Sequence, residues 1–117
     1  MYEAFVASID GIVWEGDVES RQLTFVSPEA ERVLGYPLAL WMTSGFWAEH
    51  LHPDDREWAV ESRGRAVKAQ GSTELEYRMI GASGRTVWIR DLVSVVDDIL
   101  SPRLCGVMID VTERKQS

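Results

Sequence analysis

The sequence has few of the residues that build disulfides and metal centres: one cysteine, Cys105, and two histidines, His50 and His52. A lone cysteine cannot form an intramolecular disulfide, so we expect a reducing compartment. The chain is accordingly predicted to be cytoplasmic, or the cytoplasmic portion of a membrane-bound receptor. The histidines are two positions apart, and no nearby cysteine completes a zinc-ligand set. No metal site is predicted.

Long apolar segments and catalytic motifs are also missing from the sequence. No apolar run approaches the roughly 18 residues of a membrane-spanning helix, and the first residues lack the basic and apolar regions of a signal peptide. We expect no membrane insertion. The sequence contains no glycine-rich phosphate loop, nucleophile elbow or His-Glu zinc motif, so this chain is predicted not to be an enzyme.

The charge balance is acidic, with 12 basic and 19 acidic residues and a net charge of -7. Such a surface repels phosphate backbones and anionic lipid, so nucleic acid is not expected as a partner. The length of 117 residues and a hydrophobic fraction of 45% are those of one globular domain with one core.

Hydrophobic periodicity divides the chain into two strands, a helical middle and three further strands. The predicted strands span residues 11–18, 23–26, 72–79, 86–96 and 104–111, and the predicted helices span residues 3–9, 27–35 and 52–70. The last strands are apolar on both faces, which predicts a sheet that is covered on both sides. The intervening helices provide one cover, and the N-terminal helix or a second subunit provides the other.

The helix boundaries carry specific signals. Ser27 is predicted to cap the first middle helix, with Pro28 at its first position and Gly35 as its left-handed end. Gly64 weakens the longer helix by roughly 1 kcal/mol relative to alanine, so that helix is expected to be mobile or closely packed. Its predicted buried stripe consists of Trp58, Ala59, Ser62, Ala66 and Ala69.

Six sequence segments, in this order, resemble the PAS family. They are Asp10-Gly11-Ile12; Phe25-Val26-Ser27-Pro28-Glu29-Ala30 with Leu34-Gly35-Tyr36; Leu51-His52-Pro53-Asp54-Asp55-Arg56; Glu76-Tyr77-Arg78; Gly84-Arg85-Thr86-Val87-Trp88; and residues 106–109 with Asp110-Val111-Thr112-Glu113-Arg114-Lys115. Many members have asparagine where this chain has Ser27. The resemblance covers about residues 9 to 115.

The resemblance implies an α+β PAS fold, in which helices cover one face of a five-stranded antiparallel sheet. The expected organisation is an N-terminal flanking helix over residues 1–9, a PAS sensor domain over residues 10–113, and the start of a linker to a C-terminal effector over residues 114–117. The implied host is a bacterial signalling protein, first a two-component sensor histidine kinase and otherwise a GGDEF-type cyclic dinucleotide enzyme.

Two functions from different classes follow from this resemblance. The first is a sensory module that passes a conformational change, induced by a ligand or a partner, to the linked effector. The second is a ligand-free dimerisation or spacer module. In both cases a homodimer is expected through the outer face of the sheet and the N-terminal helix.

The signal relay is predicted at Asp110 and Thr112, where the last strand ends and a polar tail begins. Thr112 is expected to cap the outgoing helix, with Asp110 accepting hydrogen bonds or pairing with Arg85 or Arg90. The same bonds also describe a plain strand-end cap, and only coupling to an output distinguishes the two interpretations.

A ligand cleft is predicted from the aromatic residues and their apolar neighbours. Its candidate residues are Leu34, Trp47, Trp58, Tyr77, Met79 and Trp88. The alternative is that the aromatic side chains fill the core completely.

No cofactor is predicted. Cys105 lies in the last strand, outside the Asn-Cys-Arg context of the flavin-adduct members of the family, and is expected to be a small buried residue. His52 belongs to the His-Pro-Asp-Asp segment, a different context from that of the haem-binding members.

Overall fold

An antiparallel sheet of five strands organises the chain. The computed structural model describes residues 11–69, 71–96 and 102–116. The strands are β1 (Gly11–Asp17), β2 (Leu23–Val26), β3 (Ser72–Ile80), β4 (Thr86–Val96) and β5 (Arg103–Asp110). Their order in the sheet is β2-β1-β5-β4-β3, and every neighbouring pair is antiparallel. The predicted α+β PAS architecture is confirmed.

Five helices complete the described part of the fold. They are α1 (Glu29–Leu34), α2 (Leu38–Trp41), α3 (Phe46–Glu49), α4 (Pro53–Ala69) and α5 (Thr112–Gln116). The first four lie between β2 and β3 in sequence, and the core forms between them and one face of the sheet. In the described part of the chain, no helix has the length and apolar character needed to cross a membrane. The helix predicted over residues 3–9 lies outside the described residues.

Strand β4 shows how alternation creates two different faces. Val87, Ile89, Asp91 and Val93 are buried on the inner face, under the helices. Leu92 points the other way and is 41% exposed, because successive side chains of a strand lie on opposite sides of the sheet.

Helix α1 ends as predicted but begins differently. Gly35 closes it in the left-handed conformation, at φ 86°, which glycine adopts without a steric penalty. The prediction that Ser27 caps the helix is wrong: its hydroxyl accepts a hydrogen bond from the backbone N–H of Val13 at 2.9 Å, and Pro28 occupies the cap position. Ser27 therefore ties the start of the helical segment to β1.

The buried face of α4 is rotated relative to the predicted stripe. Asp55, Ala59, Arg63 and Ala66 are buried, whereas Trp58 is 40% exposed. Two charged residues thus lie on the inward face, each in an ion pair with the sheet.

Gly64 of α4 is a point of close packing, one of the two possibilities that its sequence indicated. A Cβ atom at this position would lie 3.2 Å from Nη1 of Arg21. The guanidinium of Arg21, a residue of the β1–β2 turn with φ 61°, therefore packs across the helix where the side chain is smallest.

Candidate functional site

A cavity of about 220 Å³ lies between the β1–β2 turn, the short helices α2 and α3, and the middle of α4. Its apolar lining includes Leu23, Phe46 and Val60, while Arg21 and Arg63 provide charged groups. The cavity thus combines apolar walls with two guanidinium groups.

Arg63 is the central polar side chain of this site and is only 1% exposed. Its guanidinium carbon lies 3.6 Å from the ring centroid of Trp47 and 4.5 Å from that of Trp14. Stacking on indole faces stabilises a buried guanidinium and fixes its plane. Its Nη2 donates to Oδ2 of Asp91 at 3.0 Å, which forms an ion pair within the core.

Asp91 is fully buried on the inner face of β4, and three side chains donate to it. Trp14 Nε1 lies 3.0 Å from Oδ1, and the Tyr77 hydroxyl lies 2.7 Å from Oδ2, the oxygen that also binds Arg63. Buried charges are tolerated only when they are paired and hydrogen-bonded in this way. The network continues to Trp47, whose Nε1 donates to the Tyr77 hydroxyl at 3.0 Å.

Tyr77 acts as a neutral donor in this network. Complete burial, and then the negative charge of Asp91, raise the pKa of its hydroxyl well above the ordinary value. The phenol therefore keeps its proton and can donate to Asp91 while it accepts from Trp47.

Four buried nitrogen atoms around the cavity have no hydrogen-bond partner among the described residues. They are Nε and Nη1 of Arg63, Nε1 of Trp41 and Nε of Arg21. All three side chains line the same cavity. A buried donor without an acceptor costs about 1–3 kcal/mol, and more when it is charged, so this clustering marks the cavity as the candidate binding site.

The six predicted cleft residues lie in different parts of the structure. Trp47 lines the cavity, and Tyr77 lies behind it in the hydrogen-bond network. Leu34 and Met79 are buried in the core without lining the cavity.

The remaining two predicted cleft residues, Trp58 and Trp88, are not in the cleft. Trp58 lies on the exposed side of α4, where its Nε1 donates to Asp55 at 3.2 Å. Trp88 lies on the outer face of the sheet, with the cations of Arg78 and Lys115 5.3 and 4.9 Å from its ring centroid. The assignment of both residues to the cleft was wrong, since each projects from its element on the side away from the cavity.

A second set of contacts connects the end of β5 to β4. Oδ1 of Asp110 accepts from the hydroxyl of Thr112 at 2.6 Å and from its backbone N–H at 3.0 Å. The Thr112 hydroxyl accepts in turn from the backbone N–H of Trp88 at 2.9 Å. Lys115 of α5 forms an ion pair with Glu76 of β3. The outgoing helix is thus fastened to the central hairpin.

The predicted acceptor role of Asp110 is confirmed, but its predicted ion pairs are wrong. Arg85 donates to the backbone carbonyl of Val33 at 3.1 Å. Arg90 pairs with Glu74 and Glu76 across the outer face of β3. Thr112 takes the place of the predicted cation because it lies two residues away from Asp110 in the turn.

The histidines and the cysteine have structural contacts. His50 Nδ1 lies 2.7 Å from the carbonyl oxygen of Phe46, and His52 Nδ1 accepts from the N–H of Asp54 at 3.1 Å. Within the described ranges, no three His, Cys, Asp or Glu side chains form a group that could hold a metal ion. Cys105 is half-buried on the outer face, less covered than predicted, because its strand position points away from the helices.

Five hydrogen-bonding residues of the site were missed in the sequence: Trp14, Arg21, Trp41, Arg63 and Asp91. For two of these residues, the sequence contains a pattern that indicates burial. Asp91 alternates with Ile89 and Val93, which places a carboxylate at an inward position of an apolar strand. Arg63 lies four residues after Ala59 and three before Ala66, on the same side of the helix.

Comparison with solved structures finds close structural similarity. The N-terminal domain of a diguanylate cyclase with a PAS/PAC sensor from Marinobacter aquaeolei is 32% identical, with a TM-score of 0.82, over 90% of this chain and 98% of that one. A sensory box histidine kinase/response regulator from Burkholderia thailandensis is 23% identical, with a TM-score of 0.78, over 98% and 87% of the two chains.

A domain of a putative light and redox sensing histidine kinase from Haloarcula marismortui is 19% identical, with a TM-score of 0.71, over 96% and 100% of the two chains. At this identity, and at that of the Burkholderia protein, the likeness shows the fold alone. No protein of curated function matches the sequence. The PAS fold family matches residues 23–105, well over half of the chain, and on that basis together with the Marinobacter relative this chain belongs to the PAS fold family.

Proposed function

We propose that this PAS domain is a sensory module of a cytoplasmic signalling protein, in which a change at the cavity is transmitted to a C-terminal effector through Asp110 and Thr112. The single observation that carries the proposal is the position of β4. This strand holds Asp91, the partner of Arg63, on its inner face, and three residues earlier it holds Trp88, whose N–H binds Thr112.

The physical route is short. A displacement of Arg63 alters the ion pair with Asp91, and the backbone of β4 carries that displacement to the N–H of Trp88. Because Val111 N–H also binds the carbonyl of Trp88 at 2.9 Å, the start of α5 is held at two points of the same residue. A shift in these bonds rotates the outgoing helix and biases a two-state output.

The proposed effector is a histidine kinase or a diguanylate cyclase. Support comes from the Marinobacter relative, a diguanylate cyclase with a PAS/PAC sensor, and from the sensory histidine kinase of the same fold. The domain itself is sensory and performs no catalysis in this proposal; catalysis belongs to the effector.

The test replaces Thr112 by valine in the full-length protein and measures autophosphorylation or cyclic dinucleotide synthesis. Thr112→Val removes both hydrogen bonds of the Thr112 hydroxyl, to Asp110 and from the N–H of Trp88, and a loss of about 1–3 kcal/mol at this junction is expected to shift basal output at least several-fold. Thr24→Val is the matched control, because Thr24 is an exposed residue of β2. Unchanged output in both Thr112→Val and Asp110→Ala would exclude the relay.

A second candidate function, dimerisation without a ligand, is favoured by the outer face of the sheet. Leu92 is 41% exposed there, and it lines a shallow depression together with Val13, Val96 and Val107. Apolar side chains grouped on an exposed sheet face are typical of a surface that another protein copy covers. The partner that we propose is a second copy of this chain.

Leu92→Ser tests the dimer, with Leu40→Ser as the control, since Leu40 is 38% exposed on the helical side. Analytical ultracentrifugation is expected to show dissociation of Leu92→Ser alone. A monomeric wild type, or a dimer that Leu92→Ser leaves intact, would contradict this interface.

A further inference from the structure

We infer that the cavity binds a small organic carboxylate, a monoanion with a short apolar or aromatic body. This inference rests on the proposed sensory function and adds the ligand class. The four buried nitrogen atoms without partners are all N–H donors, on Arg21, Trp41 and Arg63. A set of donors without acceptors is complementary to an anion and not to a cation.

The charges around the cavity favour a single negative charge on the ligand. Asp91 offsets the charge of Arg63, to which it is bound at 3.0 Å, and Arg21 adds a second guanidinium to the lining. The excess is therefore one positive charge. Guanidinium groups bind planar carboxylates through paired N–H donors, and the stacking of Arg63 between two indoles fixes the plane of its remaining donors.

The walls and the volume favour an organic acid of few atoms. Leu23, Phe46 and Val60 line the cavity and supply apolar surface for the ligand body. At about 220 Å³, the cavity lies below the range of about 300–1,000 Å³ that is typical for drug-sized ligands. Short aliphatic acids and benzoate match this size class.

Binding must also move the protein. The four donor atoms are covered in this structure, so the carboxylate reaches them only when the side chains around them change position. Two of the donors are on Trp41, the last residue of the short helix α2, and on Arg21, in the β1–β2 turn; both residues lie outside the strands of the sheet. The same movement that admits the acid therefore supplies the conformational change that a sensor requires.

The test uses the purified chain and four probes at matched ionic strength: propionate, benzoate and their neutral amides. Two-dimensional ¹H–¹⁵N spectra resolve the indole N–H groups of the five tryptophans. The two acids are expected to shift the Trp41 indole signal in a saturable manner and to leave that of Trp58 in place, while the amides bind at least tenfold more weakly.

Two variants locate the site. Trp41→Phe keeps an aromatic ring but removes the N–H donor, and it is expected to weaken acid binding by about 10- to 100-fold. Trp58→Phe is the matched control on the exposed side of α4 and is expected to leave the affinity unchanged. Arg21→Gln is expected to lower the preference for the acid over its amide.

The inference is overturned if the amides bind as well as the acids, if neither acid shifts the Trp41 signal, or if Trp41→Phe binds as wild type does. These outcomes are independent of the relay. If Thr112→Val alters the output but no acid binds, only the ligand class is removed. If the acid binds but neither Thr112→Val nor Asp110→Ala alters the output, only the proposed relay is removed.

Discussion

Arg63 of α4 and Asp91 of β4 form an ion pair in which both side chains are almost completely buried, at 1% and 0% exposure, with Nη2 3.0 Å from Oδ2. The pair connects the longest helix of the described chain to the middle of the sheet. Arg63 also lines the cavity, and its Nε and Nη1 have no hydrogen-bond partner among the described residues.

Breaking this pair is the first prediction. Arg63→Met leaves the Asp91 carboxylate without its cation, and the free energy of unfolding is expected to fall by about 3–5 kcal/mol. The double variant Arg63→Met with Asp91→Leu is expected to recover part of that loss. Recovery stays incomplete, since Trp14 and Tyr77 then lose their acceptor. Urea unfolding of both variants measures the difference.

The control for this comparison lies on the same helix. Arg65 pairs with Glu61 at 2.8 Å, but both side chains are about two-thirds exposed. Arg65→Met is expected to change the free energy of unfolding by less than about 0.5 kcal/mol. If Arg63→Met and Arg65→Met lowered the free energy of unfolding equally, the buried ion pair would contribute no more to stability than the exposed one.

The same pair shows what the sequence could and could not predict. Alternation along β4 is sufficient to place Ile89, Asp91 and Val93 on one face of the strand, although it does not say which face the helices cover. A carboxylate was not expected at that position, because its partner lies 28 residues earlier, on another element. Only the packing of α4 across the sheet brings them together.

The boundaries of the strands were easier to predict than the side of the element from which each tryptophan side chain projects. Residues 23–26 and 86–96 form strands as predicted, because local alternation and turn residues determine them. Trp88 shares the outer side of its strand with Leu92, because residues four apart in a strand lie on the same side of the sheet. Trp58 was misplaced because the two inward charges of α4 rotate its buried face.

The contacts of the turn that follows β5 were predicted only in part. The prediction that Asp110 accepts hydrogen bonds is confirmed. The prediction that Thr112 caps the outgoing helix is wrong, because Thr112 is the first residue of α5 and its hydroxyl bonds Asp110 and the N–H of Trp88. The contact from Thr112 to the N–H of Trp88 could not be inferred from the segment alone, since it depends on the register of β4 against β5.

The second prediction concerns acid stability and Asp55. The side chain of Arg78 donates to it at 2.8 and 2.9 Å, and these bonds lower the pKa of the carboxyl from 3.8 to about 2 in spite of its burial. A lowered pKa means that the stabilisation is complete above pH 4 and is lost as the pH falls towards 2. The loss is expected to be about 1–2 kcal/mol.

Asp55→Asn removes that pH dependence, and Asp54→Asn is its control, because Asp54 is an exposed neighbour on the first turn of α4. Urea unfolding at a series of pH values between about 5 and 2 measures how the free energy of unfolding of each variant depends on pH. Wild type and Asp54→Asn are expected to lose stability in parallel, and Asp55→Asn to lose less. Identical slopes for all three would show that Asp55 titrates normally.

The third prediction tests how tightly Trp14 is packed on the sheet. Gly106 of β5 lies opposite Trp14, and a Cβ atom there would overlap the backbone carbonyl oxygen of Leu92 and would lie 2.8 Å from two carbons of the indole ring. Gly106→Ala is expected to destabilise the domain by about 1–3 kcal/mol.

Gly71→Ala is the matched control for this substitution, since the nearest atom to its added Cβ is a backbone oxygen at 3.9 Å. Thermal unfolding followed by circular dichroism compares the two variants. A lower melting temperature for Gly106→Ala alone is expected. If both variants have the same melting temperature, then Trp14 can repack and does not fix the position of the hydrogen-bond network around Asp91.

The last prediction concerns the reactivity of Cys105. Partial burial, and then the charge of Glu15, raise the pKa of the thiol above its ordinary value, and the thiolate is the species that reacts with alkylating agents. Alkylation by iodoacetamide at mildly alkaline pH is therefore expected to be several-fold slower in the native protein than in urea. Glu15→Gln is expected to accelerate the native reaction modestly, because burial remains the larger cause. Glu19→Gln, a substitution at an exposed acidic residue of the β1–β2 turn, is expected to leave the rate unchanged. A native rate equal to that in urea would mean that the outer face around Cys105 is open to solvent, which would also argue against the half-buried position that β5 gives it.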